Sequence, residues 1–330
     1  MEDDLKHLLI AAGLLTATSA MATEKPELTV YTYDSFVSDW GPGPKVEEAF
    51  EAICECDLNL VGVEDGAALL SRLRLEGNNT DADVVLGLDT NLIETAKKTG
   101  LFAPHSVEAN YTLPVDWADE TFVPYDWGYF AFVYKKGATV PSSFRELAES
   151  DTKILIQDPR SSTPGLGLLL WVKSAYSDEA ADIWAGLSDN IVTVTKGWSE
   201  AYGLFLDGEA DMVLSYTTSP AYHLIAEEDD SKTTAAFDEG HYMQVEVAAK
   251  LAGTDQPELA DKFLNFIVSD AFQSIIPTTN WMYPAVTPAS GLPAGFETLQ
   301  TPEKALLLAP EDAVAARREA LPEWLEALSQ

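Results

Sequence analysis

Short apolar runs alternate with amphipathic stretches along most of the chain, and their spacing predicts an α/β fold. Glu27 to Tyr33 (ELTVYTY) is rich in β-branched and aromatic residues and reads as a strand. Gly41-Pro42-Gly43-Pro44 breaks the chain and opens a helix over Lys45 to Ile53. Asp57 to Val63 (DLNLVGV) alternates as a strand. A helix follows, with leucines at 69, 70, 73 and 75 and a stop at Gly77, and then a buried strand over Asp81 to Leu88. Strand–helix alternation at this spacing is the pattern of a parallel sheet.

The rhythm changes at Thr121. TFVPYDWGYFAFVYKK reads as two aromatic-rich strands joined near Tyr125-Asp126-Trp127-Gly128, with no helix between them. Alternation then resumes with a helix over Ser142 to Glu149, a strand over Lys153 to Gln157, and Ser162-Thr163-Pro164 opening a helix that runs to Tyr176. Val192 to His223 supplies strand, turn, helix, buried strand and the start of another helix. His241 to Ala249 (HYMQVEVAA) is again a strand without a preceding helix, and the chain beyond Pro257 is mainly helical and acidic. The two irregular segments are the expected crossings between two α/β lobes. An internal echo, DADVVLGLD at Asp81 to Asp89 against EADMVLSYT at Glu209 to Thr217, fits two sheets whose carboxyl edges face one cleft.

Composition narrows the class. Fifty-four acidic against 20 basic residues give a formal net charge of −34, which repels nucleic acid and anionic membrane. Leu8 to Ala20 is apolar but too short to span a bilayer, and Ala20-Met21-Ala22 has the small-x-small form of a signal cleavage site. Residues 1–22 are therefore read as an export signal, although its n-region is acidic apart from Lys6. The two cysteines, Cys54 and Cys56, lie at i, i+2. On an extended strand that spacing separates their Cα atoms by about 6.6–6.8 Å, near the upper limit for a bridge. The geometry leans against a local disulfide and leaves it open. With four histidines, no ligand set with zinc spacing appears, and no metal is expected.

Three helix starts follow strands of the second lobe: Ser162-Thr163-Pro164, Ser199 after Trp198, and Ser219-Pro220. Ser/Thr caps followed by Pro are ordinary helix openings. Converging on one sheet edge, however, they present free N–H groups to an anion, with Arg160 and Lys196 beside two of them. Tyr33, Trp198, Tyr216, Tyr222 and Trp281 fall at strand ends or turns, where rings either cover the core edge or sandwich a flat cation. Asp34 and Asp65 sit where a carboxylate can meet an amino-substituted ring or cap a helix. Gly197-Trp198-Ser199-Glu200-Ala201 approaches a nucleophile elbow, with His223 and His241 downstream, but lacks its second glycine.

Taken together, VYTYDSF, DWGPGP, VEDGAALLSRLRLEG, DADVVLGLD, TGLFA, FVPYDWGYFAFVY, QDPRSSTPGLGLLLW, VTVTKGWSEAYGLFLDGEADMVLSYTTSPAYH and IPTTNWMYP resemble the thiamine-binding periplasmic receptors of ABC importers. The likeness runs from about Glu27 to the C-terminus. It implies a two-lobed periplasmic-binding fold of the type II kind that closes on its ligand by hinge motion, without catalysis and without a bound cofactor. The ligands implied are thiamine, thiamine monophosphate and thiamine diphosphate; the partner implied is a membrane permease, with the receptor monomeric and periplasmic. The lobes expected are 23–122 with a return segment at 244–285, and 123–243, with 286–330 packing mainly on the second lobe. Carried residue by residue, the family's contacts fall on Tyr33, Asp65, Gly66, Ser162, Thr163, Trp198, Tyr216, Thr217, Thr218, Ser219, Tyr222 and Trp281. Ser-Ser-Thr at 161–163, where the family more often has Thr-Ser-Thr, and the acidic Glu227 to Asp230 depart from its pattern. Receptors for a polyamine or ferric iron, and a serine hydrolase acting through Ser199, are the competing readings.

Overall fold

The computed structural model of the protein describes residues 25–329, so the expected export signal lies outside the described residues. The described residues form eleven strands, two of them two-residue pieces at Tyr283–Pro284 and Ala305–Leu306; the others are β1 (Glu27–Tyr33), β2 (Asp57–Val63), β3 (Val84–Asp89), β4 (Val123–Lys135), β5 (Ile154–Gln157), β6 (Ile191–Thr195), β7 (Met212–Tyr216), the short β8 (Lys232–Thr234) and β9 (His241–Lys250). Their order is β2-β1-β3-β9-β4-β7-β5-β6, with β8 paired to β4 off this path. β2, β1 and β3 run parallel in one lobe; β7, β5 and β6 run parallel in the other. All six residues of β3 are buried, as expected of a parallel strand covered on both faces.

The two irregular segments join the lobes. β9 pairs antiparallel with β3 on one side and with β4 on the other. β4 changes partner along its length, pairing with β9 over Val123 to Tyr129 and with β7 over Phe130 to Tyr134. This corrects the expected hairpin, because Tyr125 to Gly128 is not a turn but the middle of one 13-residue strand. Asp126 and Gly128 carry other duties. Asp126 faces Asn280, and a Cβ at Gly128 would stand 2.8 Å from Met282 Cε. Pro124 is tolerated because the ladder shifts register there.

Helices form where the capping signals stand. Asp65 accepts from the Gly66 amide and opens Gly66–Glu76, which ends at Gly77 with φ +57°. Ser162 accepts from the Gly165 amide and opens Thr163–Tyr176. Thr163 to Val172 are buried without interruption, so this helix is embedded rather than amphipathic. Phe50, Phe263 and Phe266 pack the first lobe; Phe132, Phe144, Trp171 and Phe237 pack the second. The C-terminal helix Pro310–Leu328 lies on Thr163–Tyr176 and Ala180–Leu187, and Lys173 Nζ reaches Glu323 at 2.9 Å. Among the described residues no helix is long and apolar enough to cross a membrane.

Cys54 and Cys56 are disulfide-bonded, against the expectation from extended spacing. Cys54 is the last residue of the helix Gly43–Cys54, and Glu55 turns the chain in the left-handed region at φ 58°. The turn brings the two Cα atoms to 5.1 Å, inside the range a disulfide spans.

Candidate functional site

Four of the six parallel strands, β1, β2, β6 and β7, end at one cleft of about 810 Å³ between the lobes. Tyr33 ends β1, Asp65 follows β2, Trp198 follows β6 and Tyr216 ends β7, so the carboxyl edges of both sheets face each other. Of the twelve residues expected to contact a ligand, Tyr33, Asp65, Trp198, Tyr216, Ser219, Tyr222 and Trp281 line this cleft. Gly66, Ser162, Thr163, Thr217 and Thr218 stand behind its wall.

The rings are held by polar tips. Tyr33 lies against β3, where Gly87 at φ +111° leaves room that a Cβ would close to 2.4 Å from the ring. Its hydroxyl donates to Glu246 Oε2 at 3.0 Å and accepts from Asn280 Nδ2 at 2.9 Å. Trp198 opens the helix Trp198–Asp207, donates through Nε1 to Ser215 Oγ at 2.7 Å and stacks on Tyr202 with centroids 4.9 Å apart. The Tyr216 hydroxyl accepts from Gln244 Nε2 at 2.9 Å. Tyr222, in Pro220–Ala226, meets Trp281 edge to face at 5.5 Å. Trp281 itself has φ +56°, a left-handed conformation rare for so large a side chain.

Behind the wall, Ser162 Oγ donates to Asp65 Oδ2 at 2.9 Å, and the Ala68 amide donates to the Ser161 carbonyl at 2.9 Å. Thr163 lies alongside the same carboxylate, its hydroxyl outside hydrogen-bonding geometry. A Cβ on Gly66 would stand 2.5 Å from Thr163 Oγ1, so glycine is what lets these two turns meet. Burial raises the Asp65 carboxyl above its usual range, while the Gly66 amide and the Ser162 hydroxyl pull it back. The helix start expected to bind an anion thus has the protein's own carboxylate on it. Thr217 and Thr218 are fully buried; the Thr217 amide donates to the Tyr129 carbonyl, and Thr218 rests on Met282. Ser219 does not cap its helix with its side chain but bonds Ser215 Oγ at 2.7 Å and accepts from the Tyr216 amide.

Other expectations are corrected by geometry. Arg160 is not at the cleft: it pairs with Asp158 and lies over the Trp324 ring. Lys196 does line the cleft and faces Glu64 of the other lobe at 3.6 Å. Gly197, not Ser199, caps the helix at Trp198, and Ser199 is exposed at the rim. The two histidines are engaged elsewhere. His223 bonds Tyr202 Oη at 2.9 Å and Glu227 Oε2 at 2.6 Å, while His241 bonds the Phe130 carbonyl at 2.7 Å and the Phe237 amide. No serine–histidine pair is assembled among the described residues. His223, Glu227 and Asp229 each offer a ligand atom within 4.8 Å of the others, a grouping that linear spacing does not reveal, but the Glu227 bond already takes His223 Nδ1.

Several cleft residues were not legible as such. Trp40, 54% exposed, reaches from the first lobe to within 6.2 Å of the Trp198 ring. Asn280 and Tyr202 complete the wall, and Glu246 of β9 lines its floor. Burial pushes the Glu246 carboxyl up to about 7, opposed by hydrogen bonds from Tyr125 and Tyr33. Polar–apolar alternation over Gln244-Val245-Glu246-Val247 marks Glu246 for a solvent-facing edge, whereas every residue of β9 from His241 to Ala249 is buried.

A family model described as bacterial extracellular solute-binding protein matches residues 43–274. The thiamine-binding periplasmic protein of Escherichia coli (strain K12) is 57% identical over 322 residues, covering 96% of this chain and 98% of that one. A solved periplasmic thiamin binding protein superposes with a TM-score of 0.90 at 57% identity, covering 93% of this chain and 97% of that chain. The ferric binding protein from Campylobacter jejuni, with a TM-score of 0.74 at 19% identity over 91% of this chain and 99% of that chain, shares the fold alone. The chain belongs to the bacterial extracellular solute-binding protein family, among the members named thiamine-binding periplasmic proteins.

Proposed function

We propose that the protein is a periplasmic receptor that captures thiamine between its lobes and delivers it to the membrane permease of an ABC importer. The observation that carries this reading is the near-full-length match, at 57% identity, to receptors named for thiamine. The cleft supports it independently. Rings from Tyr33, Trp198, Tyr216, Tyr222 and Trp281 offer faces to a flat cation, and a carboxylate lies beneath them. In this reading the lobes are residues 25–122 with 244–285, and 123–243, with 286–329 packed mainly on the second. β4 and β9 are the hinge, and closure is favoured to the extent that ligand contacts both lobes at once.

Thiamine monophosphate and diphosphate fit the same reading at one of the three helix starts named from the sequence. The helix start at Thr163 faces Asp65, so the phosphate is assigned to the start of Trp198–Asp207, where Lys196 lines the cleft. Titration calorimetry on the purified protein tests the proposal. Tight binding of thiamine, strongly weakened by Trp198→Ala, is expected; no heat at micromolar thiamine overturns it. Displacement of bound thiamine by spermidine or a ferric salt would instead favour the polyamine or iron reading. Labelling of Ser199 by a fluorophosphonate would favour the hydrolase.

A further inference from the structure

The register of three adjacent strands lines up three buried acids beneath the cleft. Asp89 of β3 stands opposite Glu246 of β9, and Glu246 stands opposite Asp126 of β4. Their exposures are 0%, 5% and 0%. Like charges directly across a ladder repel, and an unpaired buried carboxylate is costly to desolvate. Yet among the described residues no lysine or arginine forms an ion pair with any of the three. The charge of Asp89 is felt at Arg317 of the C-terminal helix, without an ion pair between them.

The groups facing Glu246 are acids or neutral hydrogen-bonders on every side. Tyr125 and Tyr33 donate to Oε2 at 2.6 and 3.0 Å. Gln244 Nε2 reaches Oε1 only at 3.4 Å. Tyr216, Asp65 and Asn280 complete the surroundings, with Asp126 and Asp89 on the flanking strands. Asn280 Nδ2 donates to Asp126 Oδ2 at 2.6 Å, and Asp126 Oδ1 has no partner if both acids are ionised. A single proton between Asp126 and Glu246 satisfies that orphan and removes the like-charge contact. Burial, and then the neighbouring acid, raise Asp126 well above its usual range.

We propose that Glu246 determines the specificity of the cleft for a cation, supplying the buried counter-charge to which a positively charged ligand binds. Of the three acids it alone lines the cleft. The cation takes over the neutralising role of the proton shared with Asp126, and that proton leaves to solvent. The inference rests on thiamine as the ligand, whose thiazolium carries the charge.

The test is calorimetry with two ligands of the same shape: thiamine, and the thiophene analogue in which carbon replaces the quaternary nitrogen. Each is titrated at neutral pH in two buffers of different ionisation enthalpy. The wild type is expected to prefer thiamine on the order of 10–100-fold, the lower end of what a close charge pair contributes. It should also release close to one proton per thiamine and none for the neutral analogue. Glu246→Gln should bring the two affinities to within about threefold and abolish the buffer dependence, because no acid then exchanges a proton for a charge. Asp126→Asn should keep the preference for thiamine but lose the proton release, and it decides the matter if Glu246→Gln does not fold. A preference unchanged in Glu246→Gln, or proton release unchanged in Asp126→Asn, overturns the assignment. Wild-type protein that binds neither compound overturns the thiamine reading itself.

Discussion

The Ser162 hydroxyl donates to the Asp65 carboxylate at 2.9 Å, and so joins the starts of two helices that belong to opposite lobes. Asp65 already accepts from the Gly66 amide at 2.8 Å at the start of its own helix. One carboxylate therefore faces the positive ends of two helix dipoles, and the bond from Ala68 to Ser161 beside it draws the backbones together. This contact bridges the lobes without using a ligand atom. It also places negative charge where the sequence led one to expect a phosphate.

A thiamine ester approaching this side of the cleft meets that charge. Asp65→Asn keeps the shape, removes the charge and leaves the helix starts free to favour an anion. Thiamine diphosphate should gain about fivefold in affinity relative to thiamine, equivalent to roughly 1 kcal/mol for one charge at a helix N-terminus. Parallel titrations of both ligands read this ratio directly. A ratio that stays put, or moves toward thiamine, would show that the phosphate end lies beyond the reach of Asp65.

Trp281 sets a backbone cost against a ring. At φ +56° an L-residue with a Cβ is strained by about 1–2 kcal/mol, and glycine is not. Trp281→Ala and Trp281→Gly should therefore lose thiamine affinity equally, since both remove the ring that meets Tyr222. In urea unfolding, however, the glycine variant should be the more stable of the two by about 1 kcal/mol. Equal stabilities would mean that the turn relaxes once the indole is gone.

The Cys54–Cys56 bridge closes a very small loop, so the entropy it removes from the unfolded chain is small. The loop relation gives about 1.6 kcal/mol for three residues. Cys54→Ser with Cys56→Ser should lower unfolding stability by roughly that amount. The bridge ends a helix of the first lobe and lines no part of the cleft, so thiamine affinity should not change. An affinity loss of tenfold or more in the double variant would contradict the separation of the two sites.

What the sequence made legible follows from local rules. Strand periods placed β1, β2, β5, β6 and β7 nearly in full, and the Asp65 and Ser162 caps appear where their helices begin. The misreadings share one cause, which is that tertiary context overrode a local signal. Asp126 and Gly128 look like a turn because their partners, Asn280 and Met282, lie some 150 residues further along the chain. The disulfide depends on Glu55 entering the left-handed region, which spacing cannot foretell. Glu246 looks like an ordinary strand glutamate until β3 and β4 are placed beside it with Asp89 and Asp126 opposite. Residue types and strand ends were readable; which side chains share a wall required the sheet order.

Stability against pH gives a second, ligand-free view of the acid row. Burial holds the Glu246 carboxyl at about 7, against 4.5 for an ordinary glutamate, and Asp89 at about 7, against 3.8 for an ordinary aspartate. The folded protein thus keeps protons that the unfolded chain has already released, and its stability falls as pH rises through that interval. The contribution is full below about pH 4 and is lost by about pH 7, after which it no longer changes. Acids with lowered values, such as the half-buried Glu76 beside Arg72, work in the opposite sense but complete their change at or below their ordinary range. Burial lowers His105 and His241, which makes stability rise with pH in this same window, so the buried acids are read from the difference in slope between the wild type and Glu246→Gln. The midpoint of thermal unfolding of the ligand-free protein should fall across that window, and Glu246→Gln should make the fall shallower by removing one of the protons that drives it. Saturating thiamine should flatten it in the same way, since the cation stands in for the proton. A wild-type midpoint that climbs from pH 5 to 7, with the same slope in Glu246→Gln, would mean that the three carboxyls are ionised together and that some other group neutralises them.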